Sequence, residues 1–273
     1  MMSQPLHGIA AIEQAFAAAQ AQGRPALLTY LTLGYPNPKA SLTLVPALER
    51  GGVDLIELGV PFSDPIADGP VIQSASQTAL QQGVTPASCL AQVRTLRAQG
   101  VTVPLVLMGY YNPILSYGPA AYVRDCAESG VDGLIVPDLP PEEAGELAPA
   151  CRATGLALVY LVAPNTGVER MARLAAQTSG FLYVVLRLGI TGEQTTLAED
   201  VGTRLSTIKQ VAHTPVAVGF GIARPEQVRA LASQADGIIV GSAIVERATQ
   251  GPAALEAYAA ELRRAMDSTS EAR

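Results

Sequence analysis

Gly52-Val53-Asp54-Leu55-Ile56-Glu57-Leu58 reads as the end of a helix, a turn, and a short apolar strand carrying an acid near its far end. The same pattern returns at Gly130-Val131-Asp132 and Ala235-Asp236-Gly237, each closing a helix and opening an apolar strand. The three aspartates therefore fall at strand starts, where they read as caps of the turns entering those strands. Working outward, near-continuous apolar runs of strand length occur at Leu27–Leu33, Leu55–Leu58, Leu105–Met108, Leu134–Val136, Ala157–Val162, Phe181–Leu186, Val216–Val218 and Ile238–Val240. Continuous rather than alternating apolar character is the mark of strands covered on both faces.

Helical spacing fills the gaps. Thr85-Pro86 supplies an N-cap with proline at the first helical position, followed by Leu90, Val93 and Leu96 and a stop at Gly100. Ser3 to Gln22 reads as an extra N-terminal helix carrying Ile9, Ile12 and Phe16, and Leu255, Tyr258, Leu262 and Met266 mark a last one. Pro46 interrupts Ser41–Arg50, which predicts a kink or a late start there. Eight strands alternating with helices require crossover connections and hence a parallel sheet. Over 273 residues this predicts an α/β chain closed into a (β/α)8 barrel of the TIM type, one domain spanning 1–273 with an extra N-terminal helix.

Composition narrows the rest. With 49% hydrophobic residues the chain can bury a large core, which excludes a disordered protein. A net charge of -6 argues against nucleic acid as partner. The longest apolar run, Leu156–Ala163, is far short of the ~20 residues a membrane span needs, and the start of the chain lacks a secretory pattern. A soluble, cytoplasmic protein is expected. Cys89, Cys126 and Cys151 are odd in number and widely spaced, as are His7 and His213, so local spacing assembles no metal site.

Three stretches could carry chemistry. Glu57 and Asp138 lie at strand ends, the face where barrel active sites are built. The loop Glu57 to Pro70 sets Glu57 at the mouth of an apolar barrel and returns Asp68 toward it. A carboxyl in an apolar cavity suits a group that both takes and gives a proton. Alternatively Glu57 only ends a strand and the loop acids are solvated. Gly219-Phe220-Gly221-Ile222 and Gly241-Ser242-Ala243 follow the seventh and eighth strands, where such barrels cradle phosphate; ordinary tight turns are the other reading. The stretch from Arg187-Leu188-Gly189-Ile190-Thr191-Gly192 to about Thr203 is long for its position and reads as a lid or as a disordered insertion. Lys39 and Lys209, the two lysines, are not at strand ends, which removes Schiff-base cleavage and leaves carboxylate acid/base chemistry on a substrate with its own electron sink.

The segment ELGVPFSDPIADGP (57–70) resembles the signature of the tryptophan synthase alpha subunit family. Leu33-Gly34-Tyr35-Pro36, MGYYNP (108–113), Val136-Pro137-Asp138-Leu139-Pro140, Gly219 to Ile222 and Gly241-Ser242 are similar to it as well, so nearly the whole chain is covered. The resemblance implies cleavage of indole-3-glycerol phosphate to indole and glyceraldehyde 3-phosphate, a carbon–carbon lyase reaction in which protonation of indole C3 creates the electron sink. It implies that Glu57 is the general acid/base and that Asp68 accepts the indole N–H. Tyr183 then lies near the substrate, Thr191 is the lid residue ordering Asp68, and Gly192, Gly221, Gly241 and Ser242 form the phosphate site. It further implies no cofactor in this chain, and a pyridoxal-phosphate beta subunit as partner in an alpha2beta2 tetramer, with Asp64 facing that partner. Leu186 and Leu188 stand where the family usually places small or polar residues around the lid arginine. A stand-alone indole-releasing lyase and a non-catalytic barrel regulating a partner enzyme are the alternative functions.

Overall fold

The computed structural model describes residues 6–186, 194–219 and 221–267, with side chains omitted for 194–201. Its strands are β1 (Ala26–Thr32), β2 (Leu55–Gly59), β3 (Leu105–Met108), β4 (Gly133–Ile135), β5 (Ala157–Val159), β6 (Leu161–Val162), β7 (Leu182–Val185), β8 (Val216–Gly219) and β9 (Gly237–Val240). The helices are α1 (Ile9–Ala21), α2 (Ser41–Arg50), α3 (Pro70–Gln81), α4 (Pro86–Ala98), α5 (Tyr111–Tyr117), α6 (Pro119–Ser129), α7 (Leu147–Thr154), α8 (Val168–Gln177), α9 (Gln194–Val211), α10 (Pro225–Leu231), α11 (Ser242–Ala248) and α12 (Pro252–Asp267). All pairings are parallel, in the order β5-β4-β3-β2-β1-β9-β8-β7-β6. The two end strands of that order are halves of one stave, separated only by Tyr160, so the sheet closes on itself. Tyr160 still ties in: its carbonyl accepts the Tyr183 N–H at 3.1 Å and its N–H donates to Thr178 Oγ1 at 3.1 Å. Eight staves close the expected barrel.

Side chains alternate across the ring, as the pleat requires. Leu28, Leu55, Val106, Ile135, Val159, Phe181, Ala217 and Ile239 point inward and pack with Ile12 and Phe16 of α1. Phe16 and Phe181 meet with ring centroids 5.6 Å apart, so α1 plugs the N-terminal end of the barrel. The alternate positions, such as Leu27, Leu31, Ile56 and Leu58, face outward into the larger core beneath the helices.

The three strand-start aspartates do more than cap turns. Asp54 accepts the Leu27 N–H (2.8 Å), Asp132 the Leu105 N–H (2.9 Å) and Asp236 the Val216 N–H (2.8 Å). In return each aspartate N–H donates to the carbonyl of that same residue, at 2.8–2.9 Å. Each acid thus laces the start of the neighbouring strand, and each has a cation: Arg24 on Asp54, Arg97 on Asp132, Lys209 on Asp236.

Several boundaries differ from expectation. α1 starts at Ile9 instead of Ser3; Leu6 and His7 are not helical, and residues 1–5 lie outside the described residues. The cause is distant: Gly8 sits at φ 65, its N–H donates to Asp132 Oδ1 at 2.8 Å, and the Ile9 N–H donates to Gly155 O at 3.0 Å. α2 neither starts late nor stops at Pro46, because its apolar residues Leu44, Val45, Ala47 and Leu48 are buried in one packed face that holds the helix through the missing N–H. The stretch read as loop to about Thr203 is helical from Gln194. α4 matches its sequence signals and adds an unforeseen Ser88, which completes a capping box with Thr85.

Asp132 is 1% exposed and joins Arg97 to two backbone N–H groups, so Asp132→Ala strands a largely buried cation and two donors. Denaturant unfolding is expected to show a loss of ~3–5 kcal/mol. Asp236→Ala, whose partner Lys209 is a third exposed, should lose no more than ~1 kcal/mol beyond its lost backbone bond. Equal losses at the two sites would contradict this account.

Candidate active site

The register of β1 on β2 pairs Tyr30 with Glu57, and the next ladder pairs Glu57 with Val106. Glu57 lies two residues beyond the inward-facing Leu55, so the period of the strand turns its carboxyl into the barrel. It is 1% exposed, and neither carboxyl oxygen has a hydrogen-bond partner among the described residues. Water and counter-charge are both withheld, which disfavours the charged form, and burial alone pushes its pKa up to about 8.

The second acid arrives by a loop. Beyond β2 the Val60 N–H donates to Met108 O at 2.8 Å, and the chain then turns back, with the Asp68 N–H on Pro65 O at 3.0 Å. The Tyr110 hydroxyl accepts the Ala67 N–H at 2.9 Å, which ties the residue before Asp68 to the end of β3. Gln73 Nε2, from α3, donates to Asp68 O at 2.9 Å. Burial raises the Asp68 pKa to about 6, with the nearby Tyr110 hydroxyl acting the other way.

Glu57, Asp68, Tyr183, Gly221, Gly241 and Ser242 line one cavity of about 520 Å³ at the C-terminal ends of the strands. Its remaining walls are mainly apolar, among them Ile72, Met108, Pro137, Leu161, Val185 and Ile239, and no lysine or arginine lines it among the described residues. Two strand-end glycines make room. A Cβ on Gly59 would sit 1.9 Å from the Tyr30 hydroxyl, and one on Gly219 would sit 2.7 Å from the Tyr183 hydroxyl. Both phenols can therefore lie across the barrel mouth only over a residue without a side chain. The arrangement offers a flat apolar slot with two acids at one side and the start of α11, at Gly241-Ser242, on its wall. The first N–H groups of a helix lack intrahelical partners and suit an anion.

Other sequence expectations fall elsewhere. Thr191 and Gly192, with Arg187 and Leu188, lie outside the described residues. Leu186 packs into the outer core beneath the helices, so this departure from the family pattern faces away from the cavity. Asp138, grouped with Glu57 by strand position, instead accepts the Tyr111 N–H at the start of α5 (3.0 and 3.2 Å). Asp64 is absent from the cavity lining; it sits on the exposed loop, accepting from Ser63 Oγ at 2.5 Å, two residues from Ile66, which is 84% exposed. Sequence reasoning missed Tyr30 and Tyr110. Tyr30 could have been found by aligning the inward positions of the first two strands, and Tyr110 lies inside the MGYYNP segment, where nothing local marks the loop it holds at Ala67.

The description "Tryptophan synthase alpha chain" belongs to the family model that matches residues 16–272. The tryptophan synthase alpha chain of Chloroflexus aggregans is 49% identical over 236 residues, 86% of this chain and 88% of its own. That of Halorhodospira halophila is 48% identical over 265 residues, covering 95% and 97%. Among solved structures, Mycobacterium tuberculosis tryptophan synthase superposes with a TM-score of 0.86 at 39% identity, covering 94% of this chain and 98% of that one. The alpha subunit from Legionella pneumophila str. Paris gives 0.87 at 35% identity with the same coverage. With two acids held in one apolar barrel mouth and the likeness running the length of the fold, the chain belongs to the tryptophan synthase alpha chain family, an indole-3-glycerol-phosphate lyase of tryptophan biosynthesis.

Proposed function

We propose that Glu57 is the single proton shuttle of this cleavage and Asp68 the acceptor of the indole N–H. Glu57, kept protonated by burial, donates to indole C3; the ring becomes an iminium, its positive charge shared with the nitrogen facing the Asp68 carboxylate. The resulting Glu57 carboxylate takes the proton from the hydroxyl on the side-chain carbon attached to C3. That carbon becomes the aldehyde of glyceraldehyde 3-phosphate, the bond to C3 breaks, and its electron pair returns to the ring as neutral indole. Glu57 ends as it began. The observation that carries this reading is a buried carboxyl without a partner among the described residues, sharing one apolar cavity with a second acid.

Tyr183 completes the wall beside the reacting carbon, and Gly221, Gly241 and Ser242, with Gly192, take the phosphoryl end through backbone N–H groups. Thr191 orders Asp68 when the lid closes. The alpha chain of this family uses no cofactor, the pyridoxal phosphate residing in the beta subunit. The Asp64 loop, with the exposed Ile66 beside it, faces that beta subunit, which receives the indole in an alpha2beta2 assembly. Residues 1–273 form one barrel domain that works in the cytoplasm; among the described residues no helix is long and apolar enough to cross a membrane.

The two acids must hold opposite protonation states. Activity needs Asp68 ionised, so it falls below about pH 6, and Glu57 protonated, so it falls above about pH 8. A bell-shaped kcat/KM for indole release, with limbs near those values, is the expected profile; a profile flat from pH 5 to 9 would remove the assignment. Glu57→Gln should lower indole release by ~10²–10⁴-fold while a phosphorylated analogue still binds. Asp68→Asn should lose ~10²–10³-fold in kcat, since an amide cannot balance the cation. Comparing turnover with and without a beta subunit separates the partnered enzyme from a stand-alone lyase.

Stability should move the opposite way. The folded Glu57 pKa is raised, so its contribution is full below about pH 4.5 and is lost as pH rises through about 8. Glu57→Gln escapes that loss and should melt ~5 °C or more above the parent chain at pH 8.5, with little difference at pH 4.5.

A further inference from the structure

Tyr258 belongs to α12 and is not among the residues that line the cavity, yet it reaches one glycine loop of the cavity wall and the helix that continues the other. It is 5% exposed. Its hydroxyl donates to Ala223 O at 2.6 Å, two residues past Gly221 in the loop after β8. Its ring lies against the guanidinium of Arg247, whose central carbon is 3.7 Å from the ring centroid. Arg247 is in α11, which begins at Ser242 after β9. One side chain thus spans the two cavity-lining loops from outside.

Gln227 of α10 holds the same β8 loop. Its Oε1 accepts the Ala223 and Arg224 N–H groups at 2.9 and 3.0 Å, and its Nε2 donates to Gly221 O at 3.4 Å. Ile222 packs into the core beneath the helices, so the loop presents the backbone at Gly221 to the cavity. With no lysine or arginine lining that cavity among the described residues, a phosphoryl group there depends on backbone N–H groups and the short Ser242 side chain. Such donors cannot reach after an anion. Their grip is set by how far apart the two loops stand.

We propose that Tyr258 is a positioning residue whose O–H fixes the Gly221 loop at the distance from Gly241-Ser242 that seats a phosphoryl group. The proposal rests on the reading of Gly221, Gly241 and Ser242 as the phosphoryl site.

The test is Tyr258→Phe in the full-length chain, which keeps the ring beside Arg247 and removes only the hydroxyl. Glyceraldehyde 3-phosphate formation is followed with inorganic phosphate and, separately, indole as competitors of indole-3-glycerol phosphate. KM and the inhibition constant of phosphate should both rise ~3–10-fold, while kcat stays within ~2-fold of the parent and the inhibition constant of indole, which has no phosphoryl group, is unchanged. An unchanged phosphate constant, or phosphate and indole weakened alike, overturns the proposal, because a brace for the fold alone would not tell the two competitors apart. Ser242→Asp in the otherwise unaltered chain tests the reading beneath it: a carboxylate in the phosphoryl site should weaken phosphate by more than ~10-fold with indole inhibition kept. Should phosphate inhibit that variant as well as it does the parent, the phosphoryl reading itself falls, so the two failures are told apart by different variants.

Discussion

A carboxyl sealed inside a ring of parallel strands has nowhere to send its charge. The pleat turns every second residue of β2 inward, the ring closes through the interrupted stave at Tyr160, and Glu57 is left among apolar and phenolic neighbours without a hydrogen-bond partner among the described residues. The proton-holding property of the site follows from that enclosure. No neighbouring anion needs to be invoked to raise its pKa, because burial accounts for it.

The two ends of the barrel treat acids in opposite ways. At the strand starts, Asp54, Asp132 and Asp236 each receive a cation and a backbone N–H, and the chain gains order there. At the strand ends, Glu57 has no hydrogen-bond partner among the described residues, and burial raises the pKa of Glu57 and Asp68 alike. Rigidity supplied at the base, with α1 plugging the floor, lets the mouth hold a destabilised group without losing the fold. Residues of the same chemical type thus serve structure or chemistry according to which end of a strand they occupy.

Much of this was legible in the sequence, for physical reasons. Strands buried on both faces are continuous apolar runs, so all eight staves stood out, and an acid near the end of such a run marked Glu57. What stayed hidden depends on pairing between distant segments. The true start of α1 is set by Gly8 bonding to Asp132, 124 positions away, which no local pattern records. Tyr30 enters the site only once β1 is laid in register beside β2, and Tyr110 only once the loop has folded back onto β3. Asp138 misled because strand position shows which end a residue occupies and not where its side chain is bound; it holds the Tyr111 N–H instead. Helix from Gln194 was masked by a polar composition that suits loop and solvent-facing helix alike.

The interlock of Tyr30 with Gly59 has a bearing on how such a barrel can change over generations. The hydroxyl of one occupies the very place where the other would carry its first carbon. Shrinking the phenol first leaves a void, which a folded chain can survive; enlarging the glycine first drives two atoms together in the barrel mouth. The pair therefore has a one-way door: the same double replacement is open from the aromatic side and shut from the other.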